Sequence, residues 1–398
     1  MIFTSNPPLS LYIHLPWCER KCPYCDFNSH TADNFDEQRY IKSLIEDLQQ
    51  DLPLIWGRQI SSIFIGGGTP SLFSAEAIQQ LLSDLRALLN FNSGIEITME
   101  ANPGSADVSR FKGYRDAGVN RLSIGIQSFD DSSLQAIGRI HNGSQSIAAF
   151  NKARQAGFDN INLDLMYALP GQSLQQQMAD INRAFDCQPE HISLYQLTIE
   201  PNTLFHSKLP GNLPDDDLSW DMQQQAQQAL STAGYEQYEI SAYAQQNRQS
   251  RHNLNYWSFG DYLGIGAGAH GKITLPAEGR VIRRTRIRHP QSYMQHQGIH
   301  RISEQRELLA QDLVFEFMLN ALRLVEGFDK SLFSQHCGLS TRLLDSAIHQ
   351  AVELKLLVNS DGHLKPTSHG LQFHNDLQAL FLDVDISQKL SIQPEILF

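Results

Sequence analysis

A chain of 398 residues, 41% hydrophobic and 19% charged, has the make-up of an ordinary globular protein, with length for one large domain and a smaller one. Its formal net charge of −12 disfavours nonspecific binding to nucleic acid or to an anionic membrane surface. No run nears the roughly 18 apolar residues of a membrane span, and residues 1–10 lack the basic stretch and apolar core of a signal peptide, so a cytoplasmic location is expected.

In chain order, the first half alternates short β-rich runs with helical patterns. Strands are predicted at 9–16, 62–65, 95–102, 121–127, 160–168 and 191–199, with helices at 36–50, 75–89, 107–117, 144–156 and 174–185. Successive strand-then-helix units imply a parallel sheet with right-handed crossovers. Within the strands the residues alternate. Ile95, Ile97, Met99 and Ala101 oppose Glu96, Thr98, Glu100 and Asn102. Leu122, Ile124 and Ile126 oppose Arg121, Ser123, Gly125 and Gln127, while Ile161, Leu163 and Leu165 oppose Asn162, Asp164 and Met166. Parallel strands buried on both faces read as nearly continuous apolar runs, and a filled barrel puts branched apolar residues inside. A polar second face, repeated strand after strand, predicts an α/β fold: an incomplete (β/α)6 barrel of the TIM type with a binding cavity as its interior. An antiparallel sheet with one wet face is the alternative, and the intervening helices suit it poorly.

The barrel is assigned residues 1–245, including a helix at 214–233. The stretch 246–300 reads as irregular, with a glycine-rich part at 260–271. Residues 301–398 are predicted to form a smaller, mainly helical domain, with helices at 304–324, after Asp329 and at 341–356. A hairpin over 357–366, turning at Asp361-Gly362, follows them and gives a winged-helix-like pattern. With 8 basic against 13 acidic side chains, that domain is better suited to packing or partner contact than to DNA.

Three of the five cysteines fall within eight residues, Cys18, Cys22 and Cys25, directly after the first strand; Cys187 and Cys337 stand apart. An odd number without a secretory signal points to metal or redox chemistry rather than a disulfide framework. Three thiolates on a four-iron cube leave one iron open to a small chelating ligand. Zinc is the competing occupant, but structural zinc usually takes four protein ligands in paired units, and only His14 and His30 lie close by. Placement after the first strand favours the cluster, because active sites of β/α barrels lie at strand C-termini.

Cys18-Glu-Arg-Lys-Cys22-Pro-Tyr24-Cys25 resembles the C-x3-C-x-aromatic-C signature of the radical S-adenosylmethionine (radical SAM) superfamily. The wider string YIHLPWCERKCPYCDFNSH resembles relatives of the oxygen-independent coproporphyrinogen III oxidase. The resemblance implies a [4Fe–4S] cluster on Cys18, Cys22 and Cys25 whose open iron chelates S-adenosylmethionine, with the cofactor supplying the chemistry and no side chain catalytic. It also implies contacts to S-adenosylmethionine from Tyr12, Tyr24, Gly67, Gly68 and Thr69 of the GGGTP segment, Glu100, Gln127, Arg139 and Asp164.

Two departures distinguish the chain from the oxidase. Phe27 stands where the oxidase usually has a fourth cysteine, and only residues 1–8 precede the first strand, where the oxidase carries an extension. Both match the heme chaperone branch of the family, as does His252-Asn253-Leu254-Asn255-Tyr256-Trp257 with its H-N-x-x-Y-W motif. That branch implies heme as a further ligand, contacted by His252, Asn253, Tyr256 and Trp257, with His252 as candidate iron ligand. It implies respiratory heme proteins as acceptors, admits peripheral membrane contact and oligomerisation, and gives nucleic acid no part. Oxidative decarboxylation of coproporphyrinogen III is the alternative activity, and a zinc-stabilised barrel a third reading. Arg280, Arg283, Arg284, Arg286 and Arg288 read as a solvated hairpin edge, with heme propionates as the other candidate partners.

Overall fold

Strands and helices alternate through residue 196 in the computed structural model, which describes residues 1–32 and 35–384. The end of the expected C-terminal domain, 385–398, lies outside the described residues. The strands are β1 (Leu9–Leu15), β2 (Gln59–Gly67), β3 (Asn90–Ala101), β4 (Arg121–Gln127), β5 (Ile161–Tyr167) and β6 (His191–Gln196), each parallel to the next. Between them run α1 (Glu37–Asp51), α2 (Ala75–Leu88), α3 (Val108–Ala117), α4 (Gly143–Gln155) and α5 (Leu174–Cys187). Each of these helices starts at a side chain, Asp36, Ser74, Asp107, Asn142 or Ser173, that accepts a first-turn N–H.

Alternation sorts the two faces as expected. Ile97, Met99, Leu122, Ile124, Ile161 and Leu163 join the core between sheet and helices. On the inner face, one set of buried polar groups forms a connected network, which offsets a burial cost of several kcal/mol for each unpaired group. Asn162 donates to Ser123 Oγ (2.7 Å) and Asp164 (2.8 Å), and its Oδ1 meets His191 Nδ1 (2.6 Å). His191 Nε2 in turn meets the hydroxyl of Tyr238 (2.8 Å).

After β6, helix α6 (Asp216–Thr232) leads to β7 (Glu236–Glu239) and β8 (Ala242–Ala244), which extend that edge antiparallel. The stretch expected to be irregular is instead mostly regular. Helix α7 (Arg251–Trp257) precedes β9 (Asp261–Ile265), which returns to pair in parallel with β1, Leu9 opposite Asp261. Strands β10 (His270–Leu275), β11 (Arg280–Arg286) and β12 (Ile302–Glu307) continue antiparallel from it. The result is one twelve-stranded sheet, ordered β12-β11-β10-β9-β1-β2-β3-β4-β5-β6-β8-β7, whose ends do not meet: an incomplete barrel. Glycines that read as loop are packing devices here. A Cβ on Gly264 would stand 1.8 Å from the carbonyl oxygen of His270.

The basic run is likewise not a solvated edge, because β11 lies between two strands. Arg286 is fully buried against Asp47 (2.9 Å) and Asp51 (2.6 Å) of α1, and Tyr293 donates to Asp47 (2.6 Å). This clamp fixes the added strands to the barrel. Helix α8 (Ala310–Ala321) begins later than expected, since Ile302–Glu307 is strand. Helices Ser331–Cys337 and Asp345–Glu353 and the hairpin Leu357–Ser360/His363–Pro366 complete the winged-helix-like part. The hairpin turns at Asp361 and Gly362, both at positive φ, as a two-residue turn of this kind requires. Its core packs onto the sheet extension, Phe317 against Phe259 with centroids 5.7 Å apart. Among the described residues no helix is long and apolar enough to cross a membrane.

Candidate functional site

The site starts where β1 ends. Its last residues run into a loop closed by a short parallel bridge, Trp17–Cys18 against His30–Thr31. Inside that loop Cys25 N–H donates to the Cys22 carbonyl (3.2 Å), a tight turn that holds the second and third cysteines on one arc. Cys18 is buried, Cys22 and Cys25 are half-buried, and all three are free thiols. Burial pushes the Cys18 and Cys25 thiols above their usual range, so each stays protonated until a metal displaces the proton. No three His, Cys, Asp or Glu side chains among the described residues converge as a single ion requires. Structural zinc usually takes four protein donors; three thiols suit three corners of a four-iron cube, so the donor set fits a cluster better than an ion.

The other barrel strands deliver their polar residues to the same mouth. The glycine segment after β2 is pinned under the cysteine loop, Thr69 N–H donating to Trp17 O (2.7 Å) and Gly68 N–H to Leu15 O (2.8 Å). Gly67 needs its φ of +119°, and a Cβ there would sit 2.7 Å from the His14 ring. Its N–H donates to Glu100 Oε2 (3.0 Å). Burial, then the nearby Asp164 charge, raises the Glu100 pKa to about 7. Burial also raises Asp164, although Ser123 and Asn162 donate to it. At the end of β4, Gln127 adopts φ +70°, unusual for a non-glycine residue. Arg139 donates to Gly125 O (2.7 Å) and places Nη1 3.6 Å from Cys22 Sγ. Tyr24 packs its ring near Phe205, 6.4 Å between centroids. At this mouth the structure thus links Gly67 to Glu100 and Arg139 to Gly125 and Cys22, while Tyr12 lies on the adjoining cavity.

A second space adjoins it. A cavity of about 790 Å³, within the range of small-molecule sites, lies between the cysteine loop, β1, α7 and strands β9 to β11. Aromatic walls come from Tyr12, Phe27, Tyr256, Trp257 and Tyr262, and cations from Arg283 and Arg288. Asp26, Phe27 and Asn28, which follow Cys25 directly, line it too. Asn28 is held firmly. Its carbonyl meets His14 Nε2 (2.8 Å), and its amide donates to Ala267 O (2.9 Å) and Arg288 O (2.8 Å). Tyr12 bonds the other His14 nitrogen (2.9 Å), and burial holds that ring neutral with a pKa of about 4.

The H-N-x-x-Y-W string divides across this wall. Tyr256 and Trp257 line the cavity, but His252 and Asn253 do not. His252 is 1% exposed, its Nδ1 at Ser62 Oγ (3.1 Å) and its Nε2 at the Tyr256 hydroxyl (3.0 Å). Burial drives its pKa down to about 3. In this geometry His252 bonds Tyr256 from behind the cavity wall and is not among the residues lining the cavity, unlike the place its expected role as iron ligand calls for. Asn253 caps nothing in the cavity and instead donates its N–H to Ser250 Oγ at the helix start (3.3 Å). Sequence reasoning missed His270, Asp26 and Asn28 as cavity residues; proximity to Cys25 was the available signal for the last two. The Arg run could have been divided by strand alternation: Arg283 faces the cavity, while Arg284 and Arg286 face α1.

Residues 12–183 match the radical SAM superfamily and residues 308–373 the HemN C-terminal domain. The heme chaperone HemW of Haemophilus influenzae is 49% identical over 381 residues, covering 94% of this chain and 98% of that protein. HemW of Escherichia coli is 48% identical over 377 residues, with the same coverage. The solved structure of coproporphyrinogen III oxidase (HemN) from E. coli, a radical SAM enzyme, has a TM-score of 0.78 at 22% identity, covering 94% of this chain and 90% of that one, and so shares the fold. A radical SAM domain implies a [4Fe–4S] cluster and S-adenosylmethionine. The chain belongs to the radical SAM superfamily and, within it, to the family of proteins named heme chaperone HemW.

Proposed function

We propose that this protein is a heme chaperone: it binds heme in the aromatic cavity beside a cluster-bound S-adenosylmethionine and passes it to an acceptor, a respiratory heme protein. Cys18, Cys22 and Cys25 would hold the cluster. Tyr12, Tyr24, Gly67, Gly68, Thr69, Glu100, Gln127, Arg139 and Asp164 would hold S-adenosylmethionine, and Tyr256 and Trp257 would face the porphyrin. When bound and reduced, the cluster supplies one-electron chemistry at the sulfonium. The chain's own residues position and enclose the ligands.

The observation that carries this reading is the shared loop. Asp26, Phe27 and Asn28 leave the cluster cysteines and become the wall of a cavity lined by flat aromatic rings and two guanidinium groups. A porphyrin offers two apolar faces and carboxylates at its edge, which suit such rings and cations. Relatives named for heme chaperoning support the same conclusion. Decarboxylation of coproporphyrinogen III is the competing activity, and Phe27 at the fourth-cysteine position speaks against it.

The test is anaerobic reconstitution of iron and sulfide, then titration with hemin and, separately, an assay with coproporphyrinogen III and S-adenosylmethionine. Stoichiometric hemin binding without protoporphyrinogen formation is expected. Turnover without hemin binding would reverse the assignment.

A further inference from the structure

We infer that His270, at the start of β10, is the side chain that coordinates the iron of a heme bound in the cavity. The inference rests on the heme-chaperone reading and names the ligand within it. Heme iron takes an axial imidazole nitrogen, which must be unprotonated, unbonded and facing the porphyrin space.

The histidines that line the cavity are His14 and His270. Both ring nitrogens of His14 are engaged, by the Tyr12 hydroxyl and the Asn28 carbonyl, and the ring is 5% exposed. His252, the motif histidine, is buried behind Tyr256 with both nitrogens bonded. His270 differs from both. It is an exposed residue on the cavity wall, and among the described residues its one side-chain hydrogen bond is Nδ1 to Thr285 Oγ1 at 3.2 Å. Histidines that bind metal commonly give their second ring N–H to a nearby oxygen, which fixes the tautomer and aims the free lone pair. Thr285 Oγ1 is such an oxygen, and Nε2 has no partner among the described residues.

The surroundings fit the rest of the ligand. Arg288, at the cavity rim, has no side-chain partner among the described residues, whereas Arg283 is held by Glu316 (2.6 Å) and Tyr262 (2.6 Å). A free guanidinium beside the coordinating ring is placed for a propionate, which pairs with it through two parallel hydrogen bonds. Tyr256 and Tyr262, 4.6 Å apart and edge to face, give the porphyrin a rigid apolar wall.

The experiment uses the full chain with its cluster reconstituted, titrated with hemin and followed by Soret absorption and electron paramagnetic resonance. His270→Ala should weaken hemin binding at least about tenfold, remove the imidazole-ligated signature, and recover it when free imidazole is added. Thr285→Val should weaken binding less and keep the signature. Unaltered cluster content and S-adenosylmethionine binding will show that each variant folds. An unchanged spectrum in His270→Ala overturns the inference, as does a phenolate-ligated spectrum of the parent protein that Tyr256→Phe abolishes. Hemin failing to bind the unmodified protein would instead bring down the functional reading itself.

Discussion

Replacing Glu100 with Gln asks whether the barrel interior is built for a cationic occupant. The Glu100 carboxylate accepts Gly67 N–H and lies in a field with Asp164, and burial and that charge lift its pKa from 4.5 to about 7. Ionising it in the folded chain therefore costs stability. That cost is absent below about pH 4.5, grows as pH rises, and is complete above about 7. At 1.36 kcal/mol per pKa unit the whole effect is roughly 3 kcal/mol. Glu100→Gln retains an acceptor for Gly67 and carries no charge. Free of cluster and ligand, the variant should match the parent near pH 4.5 and exceed it by up to roughly 3 kcal/mol at pH 8. Urea unfolding at a series of pH values measures this. S-adenosylmethionine, bearing a sulfonium, favours the ionised carboxylate. Its affinity for the parent protein should climb through pH 7 and level off, while the variant binds weakly and without that slope. A stability difference flat in pH, or a variant weaker at pH 8, would refute the reasoning.

Two further predictions concern the frame. Asp47→Asn leaves Arg286 buried with only Asp51 and should cost roughly 3 kcal/mol, read as a lowered thermal midpoint. An unchanged midpoint would mean the clamp does not hold the added strands. Gly67→Ala meets both a φ of +119° and the His14 ring, and should cost about 2 kcal/mol or more in a urea titration. Gly94→Ala, at φ +67° with nothing within 4 Å of its Cβ, should cost only about 1 kcal/mol. Equal costs at the two positions would show that crowding by His14 has no effect.

The barrel was legible because its signal is local. Ile97 and Met99 against Glu96 and Thr98 state which side of β3 faces the helices, and the fold keeps that sorting. Strands β9 to β12 were hidden for the opposite reason. Leu9 meets Asp261 across most of the chain, and the glycines that permit such close pairing look like loop when read alone. The cysteine trio was legible from spacing. His252 was not, since a histidine near aromatic residues looks the same whether it faces a ligand or, as here, Ser62 and Tyr256. His270 shows no motif; only the fold brings it to the cavity.

Asn28, in the cysteine loop, meets His14 of β1 through its carbonyl and donates its side-chain amide to Ala267 and Arg288. On the proposed function, metal assembly and cargo capture would share this one anchoring residue. A cluster on these cysteines and a ligand in the cavity would then be coupled through it, each steadying the other by thermodynamic reciprocity.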